Sequence, residues 1–122
     1  MSIDNNLYEK SIKILTDLIA FKTISGQDNS NLIDYCEKIL NNIGIDTFKV
    51  YDDDKKRVNL FGTLKAKNQS SKKPIILSGH TDVVPVSKGW STDPFVATIK
   101  KDKLYGRGSC DMKGFIACTL AY

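Results

Sequence analysis

Histidine and cysteine are scarce in this chain of 122 residues, which contains one histidine and three cysteines. The number of cysteines is odd and no C-x-x-C pair occurs, so neither a disulfide framework nor a zinc knuckle is indicated. No apolar stretch approaches the roughly 20 residues that a membrane-spanning helix requires. The first residues, MSIDNN, lack the basic start and apolar stretch of a signal peptide. We therefore expect reduced thiols, a cytoplasmic location and no membrane partner.

A concentrated basic surface is also missing. The net charge is only +4, from 18 basic and 14 acidic residues that are interspersed along the chain. Binding to nucleic acid would require a basic stripe with interleaved aromatic side chains, and no such stripe is visible. The apolar share of 41% and the charged share of 26% are ordinary for a globular protein. The length predicts one domain rather than two.

The first half of the chain predicts two helices followed by two strands. Apolar residues recur at helical spacing over residues 7–21 and again over residues 31–43. Gly44 follows the second of these segments and is a suitable left-handed C-cap. Residues 45–51 and 57–65 alternate in part and predict strands, and the acidic and basic residues between them have the composition of a hairpin turn.

The second half predicts further strands and one more helix. Residues 74–79 are almost continuously apolar, which is typical of a strand buried on both faces of a sheet. Polar residues 65–73 predict a loop before that strand. Short strands are expected at residues 96–99 and 104–106, and a helix is expected from Met112 onward. The order of these elements predicts an α/β protein in which helices cover a sheet.

The only histidine, His80, stands at the end of the apolar run with Asp82 two residues later. Side chains two residues apart share one face if the strand persists. A histidine that ligates a metal usually donates its other ring N–H to a carboxylate. Open α/β sheets place their sites at the carboxyl ends of strands. These residues therefore suggest a metal ligand, His80, supported by Asp82, although a structural role for a lone histidine remains the alternative.

Asp111 closes a glycine-rich turn, GRGSCD, at residues 106–111. A carboxylate can bridge two metal ions, which two-metal hydrolases hold about 3.5–4 Å apart. Gly106 and Gly108 would let the backbone pass close to such a site, and Arg107 would be either an ion-pair partner or an anchor for the turn. A dinucleotide-binding loop is not favoured, because Asp111 occupies the third glycine position and would repel a pyrophosphate.

Longer stretches around these residues resemble a known family. They are FKTIS at residues 21–25, SGHTDVVPV at 78–86, GWSTDPF at 89–95 and LYGRGSCDMKGF at 104–115. Together they resemble the metallopeptidase family that includes acetylornithine deacetylase and succinyl-diaminopimelate desuccinylase, over nearly the whole chain. The W-x-x-D-P-F pattern and the cysteine before Asp111 favour the deacetylase branch. The desuccinylase branch typically has a Pro-Pro-Phe variant and an alanine before the aspartate.

The resemblance implies a fold, a cofactor and roles for the three site residues. The fold would be the N-terminal part of a zinc-peptidase-like mixed sheet flanked by helices. His80 would bind one of two divalent ions, zinc or cobalt, and Asp111 would bridge both, with a cis peptide bond to Met112. Asp82 would orient His80 and occupy the family's first catalytic acid position.

The implied reaction is hydrolysis of N-acetylornithine to ornithine and acetate in arginine biosynthesis, by a water molecule whose pKa the ions lower. The enzyme would be a homodimer acting on small N-acyl amino acids. Two alternatives remain open. One is a desuccinylase or dipeptidase of the same family, and the other is a non-catalytic α/β binding module.

Several residues that the family uses are not found in this sequence. They are the general-base glutamate, its neighbouring metal-binding glutamate, a further acidic ligand and a last histidine. A catalytic zinc normally has three protein ligands, and Asp93 and Asp102 stand in exposed-looking loops. We therefore expect residues 1–122 to be the N-terminal portion of the catalytic domain of a longer enzyme. By themselves they should be inactive, bind metal weakly and be poorly stable, because uncovered apolar surface and open sheet edges favour aggregation.

Overall fold

The computed structural model describes residues 5–68 and 73–122. Its helices and strands confirm the predicted α/β class, and both helices and both strands of the first half lie close to their predicted positions. In chain order the elements are α1 Asn5–Ala20, α2 Ser30–Asn42, β1 Asp46–Tyr51, β2 Val58–Thr63, β3 Thr98–Lys100, β4 Lys103–Tyr105 and α3 Gly114–Ala121. No helix of the described residues is long and apolar enough to cross a membrane.

The described strands pair as two separate antiparallel hairpins, β1 with β2 and β3 with β4. In the first hairpin Phe48 lies opposite Phe61, and their rings stack with centroids 4.8 Å apart. The chain enters this hairpin through Gly44, whose φ of +76° confirms the predicted left-handed end of α2. A single parallel bridge joins Ile24 to Val83 and ties the loop after α1 to the segment that carries His80.

The hydrophobic core lies among the three helices and the start of β2. The apolar residues of α1 and α2 recur every three or four positions, so each helix directs one face inward. In α3, the small side chain of Ala117 is buried within this core. The core cluster comprises Ile14, Leu18, Leu32, Ile33, Cys36, Val58, Ala117, Leu120 and Ala121.

The prediction of a buried strand at residues 74–79 is wrong. Ile75 and Ile76 are 90% and 82% exposed, and no strand of the described chain pairs with this segment. An apolar run becomes a buried strand only where neighbours accept its backbone hydrogen bonds and other layers cover its faces, and the described residues supply neither. Residues 69–72 of the predicted loop lie outside the described residues.

The third helix begins at Gly114 rather than at Met112, because a wider turn, Ser109–Lys113, precedes it. Within this turn Asp111 (φ −125°, ψ 95°) and Met112 (φ −136°, ψ 32°) are not helical. The peptide bond between them is cis, which confirms the expectation from the family resemblance. This turn presents the Asp111 side chain at the surface, where it meets the segment that carries His80.

Candidate metal centre

The structure brings together the three residues that the sequence suggested for a metal site. His80 Nε2 lies 3.0 Å from Asp111 Oδ1. The other ring nitrogen, Nδ1, lies 3.1 Å from the backbone oxygen of Asp82 and 3.2 Å from its Oδ1. The side chains of His80 and Asp82 are about half exposed and that of Asp111 is 85% exposed, so a ligand can reach all three.

Acceptor oxygens lie close to both nitrogens of the His80 ring. Both oxygens near Nδ1 are acceptors, so Nδ1 carries a proton that it donates to Asp82. Asp111 Oδ1 is an acceptor too, so a proton on Nε2 is donated to it, and a cation at this position would take the place of that proton. A hydrogen bond from Nδ1–H to an acceptor is the usual arrangement of a metal-binding histidine, so the geometry suits the predicted role of Asp82.

Asp82 is held in place by the loop that follows α1. Ser25 Oγ donates to Asp82 Oδ2 at 2.5 Å, and the backbone of Ser25 donates to the oxygen of Val83 at 2.9 Å. On the same loop, Thr23 accepts from the Val83 N–H at 2.8 Å and donates its hydroxyl to the Thr81 oxygen at 2.7 Å. From the sequence, Ser25 has no role beyond its place in a motif that resembles the family, because a contact between residues so far apart leaves no periodic signal.

The charges at the site act on both His80 and Asp82. The hydroxyl of Ser25, together with His80, holds the pKa of the Asp82 carboxyl below its usual value, against the opposing effect of burial. Partial burial would lower the pKa of His80, but its contacts with Asp82 and Asp111 outweigh burial and raise the pKa. The site is therefore a locally negative environment, which attracts a cation.

The two glycines of the turn allow close packing rather than an open approach to the site. A Cβ at Gly106 would lie 2.8 Å from the Ile19 side chain of α1. A Cβ at Gly108, whose φ is +81°, would lie 2.6 Å from the Val83 side chain. The turn is thus packed directly against α1 and against the residue that follows Asp82.

Arg107 acts as an anchor, one of the two roles that its sequence position suggested. Its backbone N–H donates to the Pro94 oxygen at 2.6 Å, and Nη2 donates to the Pro85 oxygen at 3.3 Å. Its guanidinium lies 5.1 Å from the centre of the Trp90 ring. No ion pair to Arg107 occurs within residues 5–68 and 73–122. These contacts tie the long loop after Asp82 to the turn that carries Asp111.

His80 and Asp111 fit a metal ion as two of its ligands. Imidazole nitrogens and carboxylate oxygens bind zinc at about 2.0–2.2 Å, so two ligand atoms of one ion lie within roughly 4.4 Å of each other. The 3.0 Å distance between His80 Nε2 and Asp111 Oδ1 meets this condition. Across the part of the chain that the structure describes, no group of three or more His, Cys, Asp or Glu residues forms a site that could hold an ion. Among the described residues, the candidate centre therefore contains two ligand candidates, His80 and Asp111.

Comparison with known proteins points to one family. Residues 76–122 match the family described as Peptidase family M20/M25/M40. An acetylornithine deacetylase of Myxococcus xanthus is 41% identical over 87% of this chain and 28% of its own length. A succinyl-diaminopimelate desuccinylase of Orientia tsutsugamushi is 37% identical over 90% of this chain and 28% of its own length. Another desuccinylase, from Gluconobacter oxydans, is 57% identical over 47 residues, which are 38% of this chain and 12% of its own length.

Among solved structures, human carnosine dipeptidase 1 superposes with a TM-score of 0.74 at 24% identity, over 96% of this chain and 29% of that one. At this identity the likeness concerns the fold. The chain spans less than a third of the length of these relatives. The matches confirm the family resemblance predicted from the sequence.

Proposed function

We propose that this chain is the N-terminal part of the catalytic domain of a metal-dependent amidohydrolase. Its substrate would be N-acetylornithine, and its products would be ornithine and acetate in arginine biosynthesis. The observation that carries the proposal is the 3.0 Å approach of His80 Nε2 to Asp111 Oδ1, because both residues lie in the segment that matches the peptidase family. The similarity to an acetylornithine deacetylase supports the choice of substrate.

Four residues of this chain would bind the metal ions or position their ligands. His80 Nε2 would hold one of two divalent ions, zinc or cobalt, and the Asp111 carboxylate would bridge both. Asp82 would orient the His80 ring through Nδ1, and Ser25 would fix the Asp82 carboxylate. When bound, such ions lower the pKa of a water molecule and polarise the amide carbonyl. The remaining ligands and the general base would come from outside these 122 residues.

A desuccinylase is the second candidate, because one relative of that name is 57% identical over 47 residues. The two candidates differ in the acyl group and the amine that the complete pocket accepts.

We further propose that the complete enzyme is a cytoplasmic homodimer. Size-exclusion chromatography with light scattering would test the dimer.

The test uses the protein expressed from the complete reading frame that contains this chain. After removal of metal with a chelator, zinc or cobalt is restored, and hydrolysis of N-acetylornithine, N-succinyl-diaminopimelate and a dipeptide is measured. Metal-dependent release of acetate, faster than release of succinate or cleavage of the dipeptide, is the expected result. Faster release of succinate would select the second candidate. No metal-dependent turnover of any of the three would refute the proposal.

Substitutions then assign the turnover to these residues. His80→Gln and Asp111→Asn should each lower turnover by more than about 100-fold, because loss even of an outer partner of a ligand costs about 10–100-fold. Asp82→Asn should lower it by about 10–100-fold on the same ground. Asp93→Asn is the matched control, since Asp93 is also exposed and its Oδ1 accepts from the Phe95 N–H alone within the described part of the chain. Equal losses in Asp93→Asn and Asp111→Asn would contradict the assignment.

A further inference from the structure

Lys113 is a fully buried lysine whose partners are backbone oxygens rather than a carboxylate. It is 0% exposed, and its Nζ donates to the Leu18 oxygen at 2.8 Å and to the Phe21 oxygen at 2.7 Å. Burial lowers the pKa of the Lys113 ammonium to about 8, against a smaller opposing effect of Cys36. Burying an ammonium is costly unless its donors are satisfied, so these two bonds account for its place in the core.

The two acceptors lie where α1 ends. The last carbonyls of a helix have no partner within it and carry the negative end of the helix dipole, so a cation is favoured there. Each acceptor also has a backbone donor, because the Phe21 N–H reaches Leu18 and the Thr23 N–H reaches Phe21. Lys113 is therefore a second donor to both carbonyls, and its loss would not leave either of them without a partner.

The position of Lys113 connects two parts of the candidate metal centre. One part is the turn Ser109–Lys113, in which Asp111 stands two residues before the lysine. The other part is the loop after α1, which begins at Phe21 and continues to Thr23 and Ser25. That loop holds Asp82 and its neighbours through the Ser25 and Thr23 hydrogen bonds. The ammonium thus joins the turn that carries Asp111 to the loop that positions Asp82.

We propose that Lys113 is a positioning residue that sets the distance between His80 and Asp111 by fixing this turn to the end of α1. This inference rests on the proposed function, since it concerns the ligands of the metal named there. An apolar side chain of similar length would fill the same space, but the turn would lose its hydrogen bonds to the end of α1 and keep those of Arg107 and Met112 to the segments around it. The His80 Nε2 to Asp111 Oδ1 distance would no longer be fixed by that link.

The experiment compares Lys113→Met with Lys10→Met in the protein expressed from the complete reading frame. Lys10 is the matched control, because its Nζ also donates to a carbonyl at a helix end, the Ala121 oxygen of α3, at 2.9 Å. Circular dichroism first establishes that both variants are folded at the assay temperature. Cobalt binding to the metal-free proteins is then followed by the visible absorption of the bound ion, and turnover is measured separately.

We expect Lys113→Met to weaken cobalt binding by about tenfold or more and to alter the cobalt absorption bands, as removal of the support of a ligand does. Lys10→Met should stay within about twofold of the wild type in affinity and keep its bands, even if its melting temperature falls. A folded Lys113→Met protein with the affinity and bands of the wild type would overturn the inference.

Lys113→Gln covers the case in which Lys113→Met does not fold. Its amide is shorter and reaches one carbonyl at most, so an intermediate loss of cobalt affinity is expected, and no loss would overturn the inference. If neither variant folds while Lys10→Met does, Lys113 serves folding rather than positioning, and the inference is wrong. Failure of the wild type to bind cobalt would refute the proposed function as well, which distinguishes the two results.

Discussion

Replacing Gly108 by alanine tests the close packing between the Asp111 turn and the residue after Asp82. Gly108 has a φ of +81°, and an added Cβ would lie 2.6 Å from Val83 Cγ1 and 3.3 Å from Lys113 Cδ. Val83 is only 3% exposed, so its side chain has little room to move aside. The chain also contains a matched control, Gly26, with a φ of +82° and no atom within 4 Å of an added Cβ.

The expected magnitude follows from two separate costs. A left-handed conformation costs an alanine about 1–2 kcal/mol relative to a right-handed one. Forcing an extra methyl group into a packed core costs about 1–3 kcal/mol. Gly26→Ala should bear only the first cost, whereas Gly108→Ala should bear both, for a loss of about 2–5 kcal/mol in the free energy of unfolding.

The assay is urea unfolding of the complete protein, with the wild type, Gly108→Ala, Gly26→Ala, Val83→Ala and the double variant Gly108→Ala/Val83→Ala. Val83→Ala removes Cγ1, the atom that the new Cβ at residue 108 would contact. The double variant should therefore be more stable than the sum of the single losses predicts, by about 1 kcal/mol or more. A loss in Gly108→Ala no larger than that in Gly26→Ala would refute the reasoning. Strict additivity in the double variant would refute it too, because the clash with Val83 would then contribute nothing.

Three further predictions concern residues away from the candidate metal centre. Burial raises the pKa of the Cys36 thiol to about 12, so brief alkylation near pH 8 should label the exposed cysteines and spare Cys36, and equal labelling of the cysteine peptides by mass spectrometry would contradict this. Hydrogen bonds from the backbone and side chain of Arg57 hold the pKa of Asp52 below its usual value. The contribution of the Asp52 carboxylate to stability is therefore present above about pH 4 and lost as the pH falls through the folded-state pKa. The free energy of unfolding of Asp52→Asn, measured by urea titration, should thus fall less on acidification than that of the wild type. Asn29 accepts from the Val58 N–H at 2.8 Å and donates to the Val58 oxygen at 3.1 Å, so Asn29→Ala should cost about 1–3 kcal/mol, and an unchanged urea midpoint would refute this role.

The sequence alone was sufficient to predict the elements whose partners are close along the chain. Helices α1 and α2 have one apolar face each, and Gly44 marks the end of α2 because its φ of +76° is accessible to glycine. The β1–β2 hairpin follows from two apolar segments joined by a short polar turn. Each of these features is decided by interactions over a few residues, so its pattern is visible without the fold.

The structure of the apolar run at residues 74–79 could not be predicted from its local sequence. An apolar composition is compatible with a buried strand, but strand formation depends on partners elsewhere in the chain. In the described structure Leu77 is 63% exposed and the run forms no ladder. The same limit applies to Ser25 and Lys113, whose partners lie far away in sequence and whose residue types are common in loops and helix ends.

The candidate metal centre could be predicted only in part from the sequence, for the same reason. His80 and Asp82 are near each other by spacing, but the 3.0 Å approach of Asp111 to His80 depends on how the turn before α3 packs. That packing involves Met112, whose sulfur accepts from the His80 N–H at 3.4 Å, and Gly79, where an added Cβ would lie 3.1 Å from the Met112 methyl carbon. His80 is thus held from its N-terminal side by the turn that carries Asp111, and through Asp82 by the loop after α1. Because both supports come from described residues, the relative position of His80 and Asp111 is fixed by contacts within this chain. Binding of a cation between His80 and Asp111 would therefore require little rearrangement of either side chain.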